Sequence, residues 1–216
     1  KLPPAEVLRI LEDVCQGLVY ALSRGVTHRD MKLTNILLST TGQAKLVDFG
    51  LATLCGKSQE TDDLNVARTV DYAGLEKTTN VAVGDTRSGL FFLGCVAYEL
   101  LTGRSPLEMT RNAKARMARE RFTNIPPIQP EDIQGPPAVA RLVETMMSLN
   151  PQERLQTPSQ VLDAVREVRP ELDGKKDRGQ TAVQRTLFLA EKDERLQDLM
   201  RTKLKHQGFR VPLAAG

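Results

Sequence analysis

Apolar positions recur at helical spacing near the start of the chain. Val7, Leu8, Leu11, Val14, Cys15, Leu18, Val19 and Leu22 would share one face, Pro3 and Pro4 stand before them, and Gly25 follows Arg24. That pattern predicts an amphipathic helix with a proline start and a glycine stop. Two short apolar runs follow, 35–38 and 44–47, separated by Thr41-Gly42. They predict a short β-hairpin. Residues 51–84 carry scattered Gly, Asp and Thr with no period, which predicts a long surface loop. Residues 90–101 are apolar nearly all round and predict a buried central helix. A polar helix is expected over 111–121 and a Pro-rich loop over 126–137. Amphipathic helices follow over 139–149 and 158–168, the second with Thr157 as N-cap.

From residue 170 to 185 the chain changes character. Gly174, Lys175, Lys176, Asp177, Arg178 and Gly179 crowd a stretch nearly free of large apolar residues, the composition of a linker. Residues 186–190 then read as a strand, 195–207 as an amphipathic helix with Leu196, Leu199, Met200 and Leu204 inward, and 209–213 as a second strand. This βαβ pattern opens a second, α/β domain over 186–216 that is expected to be truncated. The overall expectation is a mainly α first domain over 1–169 with short β-hairpins, then the linker, then the α/β start.

Composition removes several functions. The chain has 216 residues, 26% of them charged, and a net charge of only +3. So small an imbalance gives no electrostatic reason to expect nucleic acid. Trp is absent and aromatics are 4%, which leaves little for base stacking. The three cysteines, Cys15, Cys55 and Cys95, form no CxxC pair and lie in or near apolar stretches, as in a reducing, cytoplasmic compartment. The most apolar run, 89–101, is too short to span a bilayer and contains Glu99, so no membrane segment is expected in this fragment. The chain opens on Lys1 rather than Met, and the expectation is that it begins inside a longer protein.

One constellation carries chemistry. His28-Arg29-Asp30-Met31-Lys32-Leu33-Thr34-Asn35 matches the pattern H-R-D-x-K-x-x-N, and Asp48-Phe49-Gly50 follows it after the predicted hairpin. Singly, an Asp or Asn in a turn is usually a cap or turn former, and a lone Asp-Phe-Gly is commonly just a loop. In this order and spacing the residues make the chain resemble the C-terminal lobe of a bacterial-type Ser/Thr protein kinase over about 1–170. Lys32 stands where tyrosine kinases commonly carry Ala or Arg.

The resemblance implies transfer of the γ-phosphate of ATP to a protein Ser or Thr with Mg²⁺. Asp30 would accept the hydroxyl proton and orient the oxygen, and Lys32 would place a cation on the γ-phosphate. Asn35 and Asp48 are hard oxygen ligands for Mg²⁺. Leu37 matches the floor under adenine. His28, Phe49 and Gly50 take structural roles, and Arg29 is a partner for a phosphorylated activation loop, with Ser58 and Thr61 as candidate sites. The run 69–76 lines up with the end of that loop, usually G-T-x-x-Y-x-A-P-E. Thr69, Tyr72 and Glu76 are kept, while Arg68, Gly74 and Leu75 depart. Thr69 would contact Asp30 and Lys32, and Arg154 matches the late arginine that pairs with Glu76. Gly89 stands where kinases usually carry an Asp that accepts the catalytic loop's N–H groups. Thr34 stands where many arginine-reading kinases carry Glu.

No G-x-G-x-x-G occurs, and only 29 residues precede Asp30. The phosphate-covering N-lobe of the same chain is therefore an expected partner upstream, and the fragment alone is expected to be inactive. The other reading is a pseudokinase scaffold, to which Gly74, Leu75 and Gly89 lend weight. The tail over 186–216 resembles the opening of a response-regulator receiver, with Glu191 at one acidic position but Lys192 at the second. A generic α/β domain with a solvated charge cluster is the alternative there.

Overall fold

A computed structural model of the chain describes residues 1–49, 53–54 and 63–173. The chain divides into two compact units, Lys1–Gly174 and Lys175–Gly216, and all described residues belong to the first. The expected linker beyond residue 173 and the receiver-like tail lie outside the described residues.

The first unit is mostly helical. Helix α1 spans Pro4–Ser23 with Pro4 in its first turn, where a missing N–H costs nothing. Its stripe of Val7, Leu8, Leu11, Val14 and Cys15 is buried, as the apolar spacing predicts. Strand β1 is Val26–Thr27, and a single 3₁₀ turn, Leu33–Asn35, leads into β2, Ile36–Leu38. β3, Ala44–Leu46, pairs with β2 antiparallel, Ile36 opposite Leu46 and Leu38 opposite Ala44. This is the expected hairpin. Gly42 at φ +79° supplies the left-handed turn residue.

β4, Thr53–Leu54, pairs antiparallel with β1, and α2 spans Asp63–Thr79. Both fall where the sequence predicts loop. The segment lacks an apolar stripe along its length, but Tyr72, Leu75, Glu76 and Thr79 follow helical spacing. Tyr72, Leu75 and Glu76 are buried. Tertiary packing, not local propensity, holds this helix.

Helix α3, Thr86–Thr102, is the buried central helix. Asp85 caps it by accepting from the Arg87 N–H at 2.8 Å, and Gly103 at φ +71° ends it. The polar helix expected over 111–121 is instead two single turns, α4 (Ala113–Arg116) and α5 (Glu120–Thr123). The break between them faces α2. A Cβ on Gly74 would lie 2.9 Å from Met117 Cα and 3.1 Å from the Arg116 carbonyl oxygen, so the two backbones nearly touch.

Helix α6 spans Pro137–Met146, and α7 spans Pro158–Asp173. Residues 170–173 of the expected linker are therefore helical. α7 runs through Pro170, which removes one helical hydrogen bond. Leu172, one turn from Val168, still packs on the core and reaches towards Gly135. Val161, Val165 and Val168 bury the inner face of α7 against the core built by α1, α3 and α6. No helix among the described residues is long and apolar enough to cross a membrane.

Candidate active site

The site grows from the segment between β1 and β2. His28 Nε2 donates to the Val47 carbonyl oxygen at 3.0 Å, and its Nδ1 accepts from the Asp30 N–H at 3.3 Å. One nitrogen donates and the other accepts, so the ring is neutral. Burial lowers its pKa and outweighs the Val47 carbonyl and the carboxylates of Asp30 and Asp48, which pull upwards. His28 thus ties the 28–30 segment to the end of the hairpin, the structural role the resemblance implies. Phe49 meets its ring edge-on, with centroids 4.6 Å apart.

Asp30 is buried, and its carboxylate is held on one side. Oδ2 accepts from Lys32 Nζ at 2.7 Å and from Asn35 Nδ2 at 2.9 Å. The same Asn35 nitrogen also donates to the Asp30 carbonyl oxygen at 2.8 Å. The 3₁₀ turn over Leu33–Asn35 folds the chain back and lets residues five apart in sequence meet. Val47 N–H donates to the Asn35 carbonyl oxygen at 2.9 Å, which carries the chain from β3 to Asp48 beside this turn. Arg29 and Asp48 both have positive φ, +59° and +62°. Such backbone is uncommon for non-glycine residues and collects at functional sites.

With Nδ2 committed to Asp30, the oxygen of the Asn35 amide is the atom left for a cation, and Asp48 is exposed. Two hard oxygen donors suit Mg²⁺, which takes one or two protein ligands and completes its shell with phosphates and water. Leu37 stands 55% exposed on β2, with Leu38 beside it at 53%, an uncovered apolar step at the hairpin. Gly50 and the side chain of Thr69 lie outside the described residues, as do Ser58 and Thr61.

Tyr72 locks α2 onto this loop. Its hydroxyl accepts from the Met31 N–H at 3.0 Å, and its ring stacks on Phe92 of α3 at 4.3 Å. Burial drives its pKa far up, so the hydroxyl stays protonated. Beside it, Asp71 accepts from Arg116 Nε and Nη2 at 2.9 and 2.6 Å and from Arg121 Nη1 at 2.6 Å. Sequence reasoning missed this triad: Asp71 stands 45 and 50 residues from its partners, with no local pattern linking them.

The Glu76–Arg154 pair implied by the resemblance is not formed. Glu76 accepts from the Gly84 N–H at 2.9 Å, and its other oxygen has no hydrogen-bond partner. Burial raises its pKa, against the pull of the Gly84 N–H and of the Arg29 charge. Arg154, 2% exposed, donates to the carbonyls of Ser148 (3.0 Å), Arg87 (2.8 Å) and Leu149 (3.4 Å). It also stacks on Phe91 at 5.1 Å. Burial brings its pKa down to about 10. Carbonyls at the start of α3 and just past the end of α6 take three of its five N–H groups, so it is a core tie with no carboxylate hydrogen-bonded to it among the described residues.

Gly89 lines a cavity of about 30 Å³ beneath the loop, together with His28, Arg29, Met31 and Tyr72. Apart from its chain neighbours and the backbone of its own helix, no atom lies within 4 Å of where its Cβ would be. The missing side chain leaves real space.

Comparison with known proteins gives the family. The protein kinase domain model matches residues 1–165. The chain is 32% identical over 161 residues to the serine/threonine-protein kinase PknB of Mycobacterium leprae, covering 74% of this chain and 26% of that protein. It is 31% identical over 160 residues to PknB of Mycobacterium tuberculosis, covering 73% and 25%. Against PknL of Mycobacterium tuberculosis it is 34% identical over 154 residues, covering 71% and 38%. The chain thus spans about a quarter of the length of the PknB relatives it matches.

Proposed function

The chain belongs to the protein kinase domain family, and from that premise we propose that its parent protein transfers the γ-phosphate of ATP to Ser or Thr hydroxyls of other proteins. The observation that carries the reading is the Asp30 carboxylate, buried and oriented by Lys32 and Asn35. One oxygen is pinned, which leaves the other to accept a hydrogen bond from an incoming hydroxyl and take its proton. Lys32, half-exposed, can swing from Asp30 to neutralise phosphate charge. Asn35 and Asp48 would hold Mg²⁺, which supplies charge neutralisation at the phosphates. Leu37 offers an apolar face for the base of ATP.

A reducing, cytoplasmic setting is part of the same reading. It is supported by the thiols of Cys15 and Cys95, both free and buried, with burial pushing Cys15 up to about 12. A receiver-like start over 186–216 is supported by its βαβ sequence pattern.

A scaffold without catalysis is the second reading, favoured by the cavity at Gly89 and the unpaired oxygen of Glu76. Peptide phosphorylation by the full-length protein, wild type and Asp30→Asn, separates the two. Positioning and proton acceptance are together worth several powers of ten in rate, so the Asn variant should fold normally and lose transfer. Equal rates for the two proteins would refute the role of Asp30. ATP binding without phosphopeptide in the wild type would establish the scaffold.

A further inference from the structure

Two buried polar atoms beside one small cavity have no hydrogen-bond partner among the described residues. The cavity is the space of about 30 Å³ beneath the catalytic loop, and both Arg29 and Gly84 line it. Arg29 Nε is the first of the two atoms. Glu76 Oε1 accepts from the Gly84 N–H at 2.9 Å, which seats the carboxyl group at that wall, and Glu76 Oε2 is the second. We infer that an ordered water in this cavity bridges Arg29 Nε to Glu76 Oε2, and that Glu76 is thereby a positioning residue for Asp30. The inference rests on the phosphotransfer reading and adds to it the group that steadies the segment carrying Asp30.

Charge explains why these two groups belong together. Asp85, which repels Glu76, is paired with Arg87 at 2.6 Å. Arg154 donates to the carbonyls of Ser148, Arg87 and Leu149. Arg29 is the cation whose charge acts on Glu76. Glu76 is buried, so salt screens that attraction little. A buried polar or charged atom left without a partner is costly, and one water that accepts from Nε–H and donates to Oε2 satisfies both. A water needs about 10–15 Å³ and roughly two to four polar partners. The cavity offers about 30 Å³ and these two atoms, and Gly89 has no side chain to fill the room.

The bridge bears on Asp30 through the backbone. Arg29 precedes Asp30 and has φ +59°, a conformation that persists in a non-glycine residue where the surroundings hold it. Its neighbours are held already, His28 by the Val47 carbonyl and Met31 by the Tyr72 hydroxyl. Tyr72 and Glu76 stand four residues apart on α2, one above the other on a single face. With the bridge in place, that face grips the segment on both sides of Asp30, at Met31 through Tyr72 and at Arg29 through Glu76. A helix that fixes the residues before and after the carboxylate fixes the line along which it meets a hydroxyl.

The test has three arms, all on the full-length protein. A high-resolution crystal structure should show a water within about 3.2 Å of both Arg29 Nε and Glu76 Oε2. Glu76→Gln and Arg29→Met should each lower the melting temperature, and the double variant should lose about 2–4 °C less than the sum of the two. In a peptide assay well below those temperatures, Glu76→Gln should lower kcat about tenfold with KM for ATP and peptide unchanged. In the Arg29→Met background the same substitution should lower kcat no further, which a merely structural role would not produce. The inference is overturned if the two atoms bond to each other or to other protein groups with no water between them. Additive losses in melting temperature would overturn it too, as would a kcat that Glu76→Gln leaves unchanged or lowers equally in both backgrounds. If no peptide is phosphorylated, the activity reading itself fails, and the electron density and the melting temperatures still decide the bridge. The density needs no variant, so it decides even where Glu76→Gln does not fold.

Discussion

Replacing Gly89 tests whether the space beneath the catalytic loop is a missing anchor. The residue lies in the first turns of α3, and no atom within 4 Å obstructs a Cβ. Gly89→Ala should therefore act mainly through backbone entropy, a gain of about 0.5–1 kcal/mol. For a unit of this size that is a rise of about 1–4 °C in melting temperature, with kcat unchanged. Gly89→Asp adds a carboxylate to a cavity of about 30 Å³, of which Arg29 is one wall, its Nε lacking a hydrogen-bond partner. A charge-assisted hydrogen bond there contributes about 1.5–3 kcal/mol. The start of α3 favours a negative charge by about 0.3–1 kcal/mol more.

Desolvation of the carboxylate opposes these gains, and Asp85, which also lines the cavity, repels it. The alanine variant separates the two effects, since it shares the entropy gain and lacks the carboxylate. The expected result is a melting temperature above that of Gly89→Ala, and a kcat above wild type because the segment carrying Asp30 is held more firmly. Differential scanning fluorimetry and a peptide kinase assay on the full-length protein supply both numbers. An Asp variant that melts below the Ala variant with no gain in kcat would refute the missing-anchor argument. The cavity would then be a site that tolerates apolar filling or water but not charge.

Three further outcomes follow from the same structure. Gly74→Ala should destabilise by about 1–3 kcal/mol in chemical denaturation, because its Cβ would sit 2.9 Å from the Met117 Cα; an unchanged midpoint would show that α2 and the 116–122 segment separate freely. Burial holds His28 below its ordinary value of 6.5, so the unfolded chain takes up a proton there that the folded chain refuses; stability is complete above about pH 6.5 and falls as pH drops towards the folded value, and the melting temperature of wild type should fall more steeply below that pH than that of His28→Gln. For the receiver-like start proposed over 186–216, Lys192 would put an ammonium at the second acidic position, and intact-mass measurement of the full-length protein with acetyl phosphate and Mg²⁺ should then show no phospho-aspartate.

What the sequence made legible was local. Asp30, Lys32 and Asn35 lie within six residues and meet across one 3₁₀ turn, so their spacing encodes their contact directly. α1 announces itself by apolar periodicity and α3 by being apolar nearly all round, because each is buried through its own residues. Helix α2 does not, since its burial comes from partners distant in sequence: Met31 and Phe92 on Tyr72, Met117 and Phe122 on Gly74. The Asp71 triad is invisible for the same reason. The Glu76–Arg154 pair shows the converse hazard. Both residues occupy the matching positions, yet the carbonyls of Arg87, Ser148 and Leu149 take the guanidinium. Identity at a position does not fix a contact when backbone acceptors compete for the same donor.

The departures from the kinase pattern are thus of two physical kinds. Gly74 and Leu75 replace the usual Ala and Pro, and each has a structural answer here. Glycine permits the backbone approach to Met117, and leucine, fully buried, keeps the N–H that lets α2 run unbroken to Thr79 where proline would interrupt it. Both changes at this loop end are thus accommodated by the packing and continuity of α2. Gly89 is different, because no neighbouring side chain has moved into the space it leaves. Of the three, it alone leaves the loop that carries Asp30 with a gap beneath it. The weight that Gly74 and Leu75 gave the scaffold reading therefore moves onto Gly89, and a gain or loss of rate on filling that gap decides how much of it survives.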